Sequence, residues 1–446
     1  MWINGRCFLF CGYSGIVPGM AEEVSPAAAQ AGASLPDRIA LGVLTRIVTR
    51  ELVDDVLTGT GRTERRKRLL PARAVIYFVL ALALFHSDSY EEVMRKLVQG
   101  LSFLAVWKRE WHVPTPSALA QARERLGSEP LRELFERVAV PCAQLSTAGA
   151  WLAGRRLMAI DGVELECADT PANAGRFGYR MARGGHGPYP QVLVMALAEC
   201  GTHAVTAIET GNAEDAEQPL ALALAERPGN LQPGMLVMAD RGLYSYDLVT
   251  AVTAAGADFA LRVTALLDLP VLEWLPDGSY RSYIADPKKK GAAQFRNRKR
   301  PHLPPVQLTD LPGVHVRVID YDVPGRGKGE LYTVVTSVLD YQELPAPEIA
   351  AAYHQRWEIE LAFDELETHQ RGPAAILRSR SPDLVLQELY GLLITHYAIR
   401  QLMTEAADQA ELDPDRLSFT RALHIARRQV TAQAAFSPLP PETSDS

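Results

Sequence analysis

The chain has 446 residues, 47% of them hydrophobic and 22% charged, and a formal net charge of −7 at pH 7. This is an ordinary globular composition, and the length exceeds what one hydrophobic core supports, so two or three domains are expected. The net negative charge argues weakly against a polyanion as binding partner, because nucleic-acid affinity comes largely from the neutralisation of phosphates by basic residues. Binding of nucleic acid would therefore need local basic patches.

The sequence offers no membrane or secretion signal. The longest apolar run, residues 74–85, is too short for a bilayer span and predicts a buried helix. The first 19 residues lack the sustained hydrophobic segment of a signal peptide, and initiation at Met20 is as good an interpretation as initiation at Met1. Five scattered cysteines have neither zinc-ligand spacing nor the even count of a disulfide framework. These features predict a cytoplasmic protein.

The N-terminal third predicts a leader followed by helices. Residues 1–36 are rich in Ala, Gly, Ser and Pro without periodicity, so we expect a disordered leader. Apolar residues then recur at three- and four-residue spacing, which indicates helices. The predicted helices cover 39–57, 71–85, 89–98, 117–126 and 131–145. We interpret 37–150 as an all-helical domain.

From residue 151 the pattern changes to short apolar strands. Strands are predicted at 157–160, 191–197, 203–208, 235–239 and 258–263, with helices at 214–226 and 245–255. Three strands followed by alternating helices and strands indicate an α/β domain with a mixed sheet.

The last part of the chain returns to helices after an interruption. Turn-rich, strand-like pieces, such as 314–322 and 329–338, predict a β-rich insertion at 269–344. Helical periodicity follows from 345, with long helices at 381–407 and 418–432. Residues 433–446 are rich in Pro, Ser and Glu, and we expect a disordered tail.

Two runs of basic residues lie on either side of the predicted α/β strands. One such run is most often a solvated loop, but two runs flanking a region with candidate carboxylates favour DNA or RNA binding. The first run comprises Arg62, Arg65, Arg66, Lys67 and Arg68, and the second Lys288, Lys289, Lys290, Arg296, Arg298, Lys299 and Arg300.

Two aspartates directly follow predicted strands. Asp161 comes after strand 157–160, and Asp240 comes after strand 235–239. Sites in open α/β sheets collect at strand ends, so the two together favour a functional site. Either aspartate alone would be interpreted as a turn or helix-cap residue.

A third carboxylate lies on a predicted helix. At about 100° per residue, Tyr353, Arg356, Glu360, Asp364 and Glu367 fall on one face beside an apolar flank. Such a face is either solvated or functional. With the two aspartates, Glu360 completes a set of hard oxygen ligands suited to Mg²⁺ or Mn²⁺. Two such ions can drive in-line displacement at phosphorus, and Arg356 could hold a phosphate oxygen.

Four motifs, together with the helical N-terminal region, resemble the insertion-sequence-four family of DDE transposases over residues 35 to about 430. The motifs are Asp161-Gly-Val-Glu, Asp169-Thr-Pro-Ala-Asn, Ala239-Asp-Arg-Gly-Leu-Tyr-Ser-Tyr-Asp247 and Tyr353-x2-Arg356-x3-Glu360. The resemblance implies a ribonuclease-H-like catalytic domain at 151–268 and 345–432. It also implies a metal-binding triad of Asp161, Asp240 and Glu360, with two divalent ions and no further cofactor.

The resemblance further implies partners. A transposase of this family binds the inverted repeats at its element's ends and a target DNA, and pairing of two ends implies a homodimer on DNA, at the nucleoid. The insertion is expected to help hold the DNA end. The residues predicted to contact DNA are Tyr353, Arg356, Arg241, Lys288, Lys289, Lys290, Arg298, Lys299 and Arg300.

One departure from the family pattern leaves an alternative open. Glu367 stands where the family has a lysine, and this reversal of charge predicts weaker DNA-end binding and, with Asp364, a raised pKa of Glu360. The alternative is an impaired copy, or a DNA-binding derivative that lost the chemistry. An aspartyl-phosphate phosphatase is disfavoured, because Val163 occupies the place of the second aspartate which that chemistry requires.

Overall fold

The computed structural model describes residues 2–3, 6–7, 42–64, 70–99, 113–182, 185–264, 266–300, 302, 304–322, 331–373 and 375–431. The chain divides into two units, Met1–Ser34 and Leu35–Ser446. In the first unit, Trp2–Ile3 pairs antiparallel with Arg6–Cys7. The rest of the predicted leader, the predicted tail and basic residues 65–68 lie outside the described residues.

The second unit begins with the predicted helices. A 3₁₀ helix at Gly42–Arg46 is followed by α1 (Arg50–Gly59), α2 (Ala72–Leu84), α3 (Tyr90–Gln99), α4 (Pro116–Leu126) and α5 (Glu129–Val138). The first predicted helix is in fact split, because Thr49 caps α1 by accepting a hydrogen bond from the Leu52 N–H. The last ends early, three residues before Pro141, which has no N–H to donate.

Helix α2 is the centre of the helical region. Every residue from Ala74 to Leu84 is buried, which explains why the helix is apolar on all sides. It packs against the long C-terminal helix, so the predicted buried helix at 71–85 is confirmed. Among the described helices, none is long and apolar enough to cross a membrane.

Ten described strands form one mixed sheet. In chain order they are β1 (Trp151–Leu152), β2 (Arg155–Glu166), β3 (Gln191–Glu199), β4 (Ala204–Asn212), β5 (Met235–Ala239), β6 (Asp258–Val263), β7 (Glu273–Trp274), β8 (Tyr280–Ala285), β9 (Gly313–Asp322) and β10 (Leu331–Thr336). Their spatial order is β7-β8-β9-β10-β6-β5-β2-β3-β4, with β1 paired to β2.

Strands β2 to β6 form the predicted ribonuclease-H-like arrangement. Strands β2, β3 and β4 are antiparallel neighbours, while β5 and β6 run parallel to β2 on its other side. All five residues of β5 are buried, as expected for a parallel strand covered on both faces. The α/β fold with a mixed sheet is therefore confirmed.

The insertion extends this same sheet. Strands β10, β9, β8 and β7 add antiparallel to the free edge of β6. The insertion also contains a helix that was not predicted, α9 (Pro287–Lys299). Of its residues only Ala293 is buried, so the segment has no apolar period from which a helix is predicted.

Helices cover both faces of the sheet. On one face lie α7 (Glu217–Glu226) and α8 (Tyr246–Ala254), which share a core with alternate residues of β2 and β5. The opposite face shares its core with the N-terminal helices and with the helices that follow residue 344. The remaining helices are α6 (Pro171–Phe177), α10 (Ala346–His354), α11 (Glu358–Asp364), α12 (Pro382–Gln409) and α13 (Phe419–Thr431).

Candidate active site

The register of two parallel strands places two aspartates side by side. The pairing of β2 with β5 ends at Ile160 opposite Ala239, so Asp161 and Asp240 are the next residues on neighbouring strands. Adjacent strands lie about 4.8 Å apart. The residues two and four positions before each aspartate belong to the core beneath α11. Because side chains alternate between faces, both aspartates face that helix.

Asp161 does not lie at a strand tip, contrary to the prediction. Strand β2 continues to Glu166, and Asp161 is paired with Ala196 of β3. What ends at Ile160 is only the pairing with β5. Asp240 does follow the last residue of its strand, as predicted.

The segment that carries Glu360 is not one continuous α-helix. A 3₁₀ turn at Gln355–Trp357 separates α10 from α11, and a π-helix at Glu365–Arg371 follows. Tyr353 is only 2% exposed, and its hydroxyl donates a hydrogen bond to the Ala239 carbonyl at 3.2 Å. This bond fixes the segment to the sheet one residue before Asp240.

Arg356 joins two of the three acids. Its Nη1 atom lies 2.9 Å from Asp161 Oδ2, and its Nη2 atom lies 3.2 Å from Glu360 Oε1. The arginine is 5% exposed and Tyr353 is 2% exposed. Both predicted phosphate contacts therefore lie inside the site and not on an outer surface, because the segment packs this face against the sheet.

The site carries more negative charge than the arginine offsets. Burial raises the pKa of Asp161, and Asp240 raises it further, against the effects of the Gly162 N–H and Arg356. Burial likewise raises the pKa of Glu360, with Asp161 and Asp240 adding to the effect and Arg356 opposing it. An arrangement that raises carboxylate pKa values in this way favours a bound cation.

Arg262 is a neighbour of the site that sequence reasoning missed. Leu261 of β6 pairs with Ala239, so Arg262 follows beside Asp240, and its Nη1 atom lies 3.8 Å from Asp240 Oδ1. Its guanidinium carbon also lies 3.8 Å from the centre of the Tyr332 ring. The available signal was a charged residue inside the apolar strand 258–263.

Glu367 does not lie on the same helical face as Glu360, although α-helical spacing predicted that it would. It lies in the π-helical segment, whose wider turn moves it off the face predicted from α-helical spacing. Its carboxylate accepts a hydrogen bond from Arg371 at 3.1 Å. The acids that raise the pKa of Glu360 are Asp161 and Asp240.

The predicted basic DNA contacts lie mostly on α9. Asp286 caps this helix by accepting from the Lys288 N–H at 2.8 Å, and Pro287 occupies its first turn. Lys290 is paired with Asp268 at 3.0 Å. Of the predicted contacts in this region, five are exposed: Lys288, Lys289, Arg298, Lys299 and Arg300. Arg296 of the same helix and Arg241, beside the active site, are exposed as well.

Comparisons with known proteins agree with this architecture. Residues 38–136 match the family Insertion element 4 transposase N-terminal, and residues 152–397 match the family Transposase DDE domain. The transposase InsG for insertion sequence element IS4 of Escherichia coli K12 is 29% identical over 397 residues, which cover 87% of this chain and 82% of InsG.

Two other proteins are similar over different lengths. The putative transposase InsZ of Escherichia coli K12 is 26% identical over 211 residues, 47% of this chain and 66% of InsZ. A piggyBac transposase in a synaptic complex with hairpin DNA aligns with a TM-score of 0.44 at 11% identity, over 89% of this chain and 82% of that one.

The two family matches follow one another along the chain, and the second alone covers more than half of it. Members of the DDE family cleave and transfer DNA strands with the help of divalent metal ions. The chain therefore belongs to the insertion element 4 family of DDE transposases.

Proposed function

We propose that this transposase binds the inverted repeats of its own element, cleaves the 3′ strand with water, and joins the new 3′-hydroxyl to target DNA, with Asp161, Asp240 and Glu360 as the catalytic carboxylates. The observation that carries the assignment is the placement of these acids. Two come from adjacent parallel strands and the third from the helix above them, with Arg356 bound to Asp161 and Glu360.

The three carboxylates fit a divalent metal. Their oxygens are hard ligands, and their neighbours leave negative charge uncompensated, which suits Mg²⁺ or Mn²⁺. We propose that two ions bind there; such ions activate the attacking oxygen and stabilise the leaving oxygen at phosphorus. Asp161, Asp240 and Glu360 would hold them.

The surrounding residues keep the acids in place. Arg356 offsets the repulsion between Asp161 and Glu360 and favours their ionised forms. The Gly162 N–H donates to Asp161 Oδ1 at 2.8 Å, which orients that carboxylate. The Tyr353 hydroxyl holds the helix segment against β5. We infer that these contacts set the spacing of the acids before DNA arrives.

We propose that α9 binds the backbone of the transposon end. Lys288 and Lys289 are exposed on its first turn. Four further cations lie at its C-terminal end, where they interact favourably with the helix dipole: Arg296, Arg298, Lys299 and Arg300. Contacts of this kind neutralise phosphates without reading sequence. The pairing of two ends implies a dimer on DNA, acting in the cytoplasm at the nucleoid.

Removing the exposed lysines tests this surface. We expect Lys288→Gln combined with Lys289→Gln to weaken binding to a labelled inverted-repeat duplex. The slope of log affinity against log salt should fall by about 0.9 for each lysine that contacts a phosphate. Fluorescence anisotropy across a salt series measures both quantities.

Lys290→Gln is the matched control, because Lys290 is already paired with Asp268. It should change the salt slope less than either exposed lysine does. An unchanged affinity and slope in the double variant would remove α9 from the DNA-binding surface.

A substitution at Glu367 tests the alternative that this chain is an impaired or repurposed transposase. We infer that Glu367 has a structural role, because it is the ion-pair partner of the largely buried Arg371. We expect Glu367→Lys to place two cations side by side and to lower the midpoint of thermal unfolding, without raising end binding or cleavage. Melting curves and a duplex cleavage assay check this. A gain in both end binding and cleavage would instead establish the impaired-copy alternative.

A further inference from the structure

A second group of ligand-type side chains converges away from the catalytic acids. His203 lies in the turn between β3 and β4, Glu358 begins α11, and Asp415 lies in the 3₁₀ turn Pro414–Arg416. One ligand atom of each lies within 4.8 Å of the other two; among the described residues, no other such group of His, Cys, Asp and Glu meets this limit, the catalytic triad included.

The histidine of this group is buried and poorly satisfied. His203 is 3% exposed, and its Nε2 atom makes no hydrogen bond. That atom lies 3.1 Å from Asp415 Oδ1 and 3.9 Å from Glu358 Oε2. His203 also has a left-handed backbone conformation, with φ of 57°, which is uncommon outside glycine and persists where the surroundings require it.

The charged groups around the His203 ring carry negative charge that a bound cation would neutralise. Arg400 contacts His203 Nδ1, and its Nε atom donates to Glu365 at 2.7 Å, so this arginine and this glutamate offset each other. Glu358 accepts a hydrogen bond from the Gly201 N–H. The charged groups that act on Glu358 are otherwise Asp415, Asp413 and the imidazole. Two carboxylates thus face one neutral or singly charged ring.

We propose that His203 Nε2, Glu358 and Asp415 bind a divalent cation of the zinc type. Imidazole and carboxylate ligands together suit Zn²⁺, whereas Mg²⁺ prefers oxygen alone. Glu365 lies 3.6 Å from His203 Nδ1, and binding of an ion at Nε2 would require Nδ1 to exchange its contact with Arg400 for this carboxylate, which would then accept the Nδ1 proton as carboxylates commonly do beside a metal-bound histidine. The ion would cross-link the β3–β4 turn, the Pro414–Arg416 turn and the first residue of the helix that bears Glu360.

The site can be tested apart from the catalytic acids. The full chain carrying Asp161→Asn, Asp240→Asn and Glu360→Gln is stripped with chelator and titrated with Zn²⁺ alone. We expect one Zn²⁺ per chain by elemental analysis after dialysis, and a rise in the midpoint of thermal unfolding. Adding His203→Asn or Asp415→Asn should weaken Zn²⁺ affinity at least tenfold, since either change removes a ligand. Asparagine also tolerates the left-handed backbone at position 203.

His186→Asn, at an exposed histidine elsewhere in the chain, is the matched control and should leave the affinity unchanged. Zinc X-ray absorption should show one imidazole with oxygen ligands, a readout that does not depend on the variants folding. Absence of stoichiometric Zn²⁺, a spectrum without imidazole, or unchanged affinity in both folded ligand variants would overturn the proposal. None of these results bears on the catalytic role of the three acids, which rests on strand cleavage.

Discussion

We expect Asp240→Asn to lower the rate of DNA strand cleavage by about 10³-fold to 10⁴-fold, or below detection, because losing a proposed metal ligand would remove several kcal/mol of transition-state stabilisation. Asp161→Asn and Glu360→Gln are expected to act similarly. All three should bind transposon ends with nearly unchanged affinity, since the exposed cations of α9 are untouched. Cleavage of a labelled end in Mg²⁺ and anisotropy on the same duplex provide the two measurements.

Asp55→Asn is the matched control for the aspartates. Asp55 is an exposed acid of α1 that lies outside all four motifs. Its replacement should leave cleavage at the parent rate. Full cleavage by any one of the three catalytic-site variants would refute the assignment of that acid.

The second large effect concerns stability. Glu388 of α12 is 5% exposed, and it accepts hydrogen bonds from the Ser379 N–H at 3.0 Å and the Arg378 N–H at 3.2 Å. His86, just after α2, lies 3.2 Å from the same carboxylate. We expect Glu388→Ala to reduce the free energy of unfolding by about 3 to 5 kcal/mol, because removing one member of a buried ionic cluster leaves the others unpaired. Chemical denaturation measures this loss.

The loss should depend on pH in a defined direction. His86, Arg123 and Ser379 outweigh the effect of burial and hold the pKa of Glu388 at about 2. A carboxylate whose pKa is lowered by folding stabilises the fold at pH values above its pKa in the unfolded chain, which is near 4.3. This contribution is lost as pH falls toward 2. The parent and Glu388→Ala proteins should therefore differ most at neutral pH and converge in acid.

An exposed pair serves as the control for this stability effect. Glu129 and Arg132 are 2.6 Å apart at side-chain exposures of 50% and 38%. Glu129→Ala should cost under about 1 kcal/mol, as solvated ion pairs do. A comparable loss of unfolding free energy in both variants, or a Glu388→Ala protein as stable as the parent, would contradict a stabilising role for the buried contact between His86 and Glu388 of α12.

Local pattern was enough for most of the architecture. Strand β5 is apolar throughout and helix α2 is apolar from Ala74 to Leu84, and each forms the predicted element within two residues of its predicted bounds. Helix α9 was missed because an exposed basic helix has no apolar stripe to reveal it. The segment from Tyr353 to Glu367 was predicted as a single α-helix because residue spacing alone does not report a 3₁₀ turn or a π-helix.

The sequence by itself determined the order of strands β2 to β6 with the two helices between them, the buried helix α2, and the three acids as candidates, since each depends on periodicity or on the residue that follows an apolar strand. Only the tertiary structure decided how those acids are used. The register of β2 against β5 brings Asp161 beside Asp240, and packing of α11 on that face buries Arg356 between Asp161 and Glu360. Such contacts join residues up to 195 positions apart, and no local spacing encodes which side chains will share a buried face.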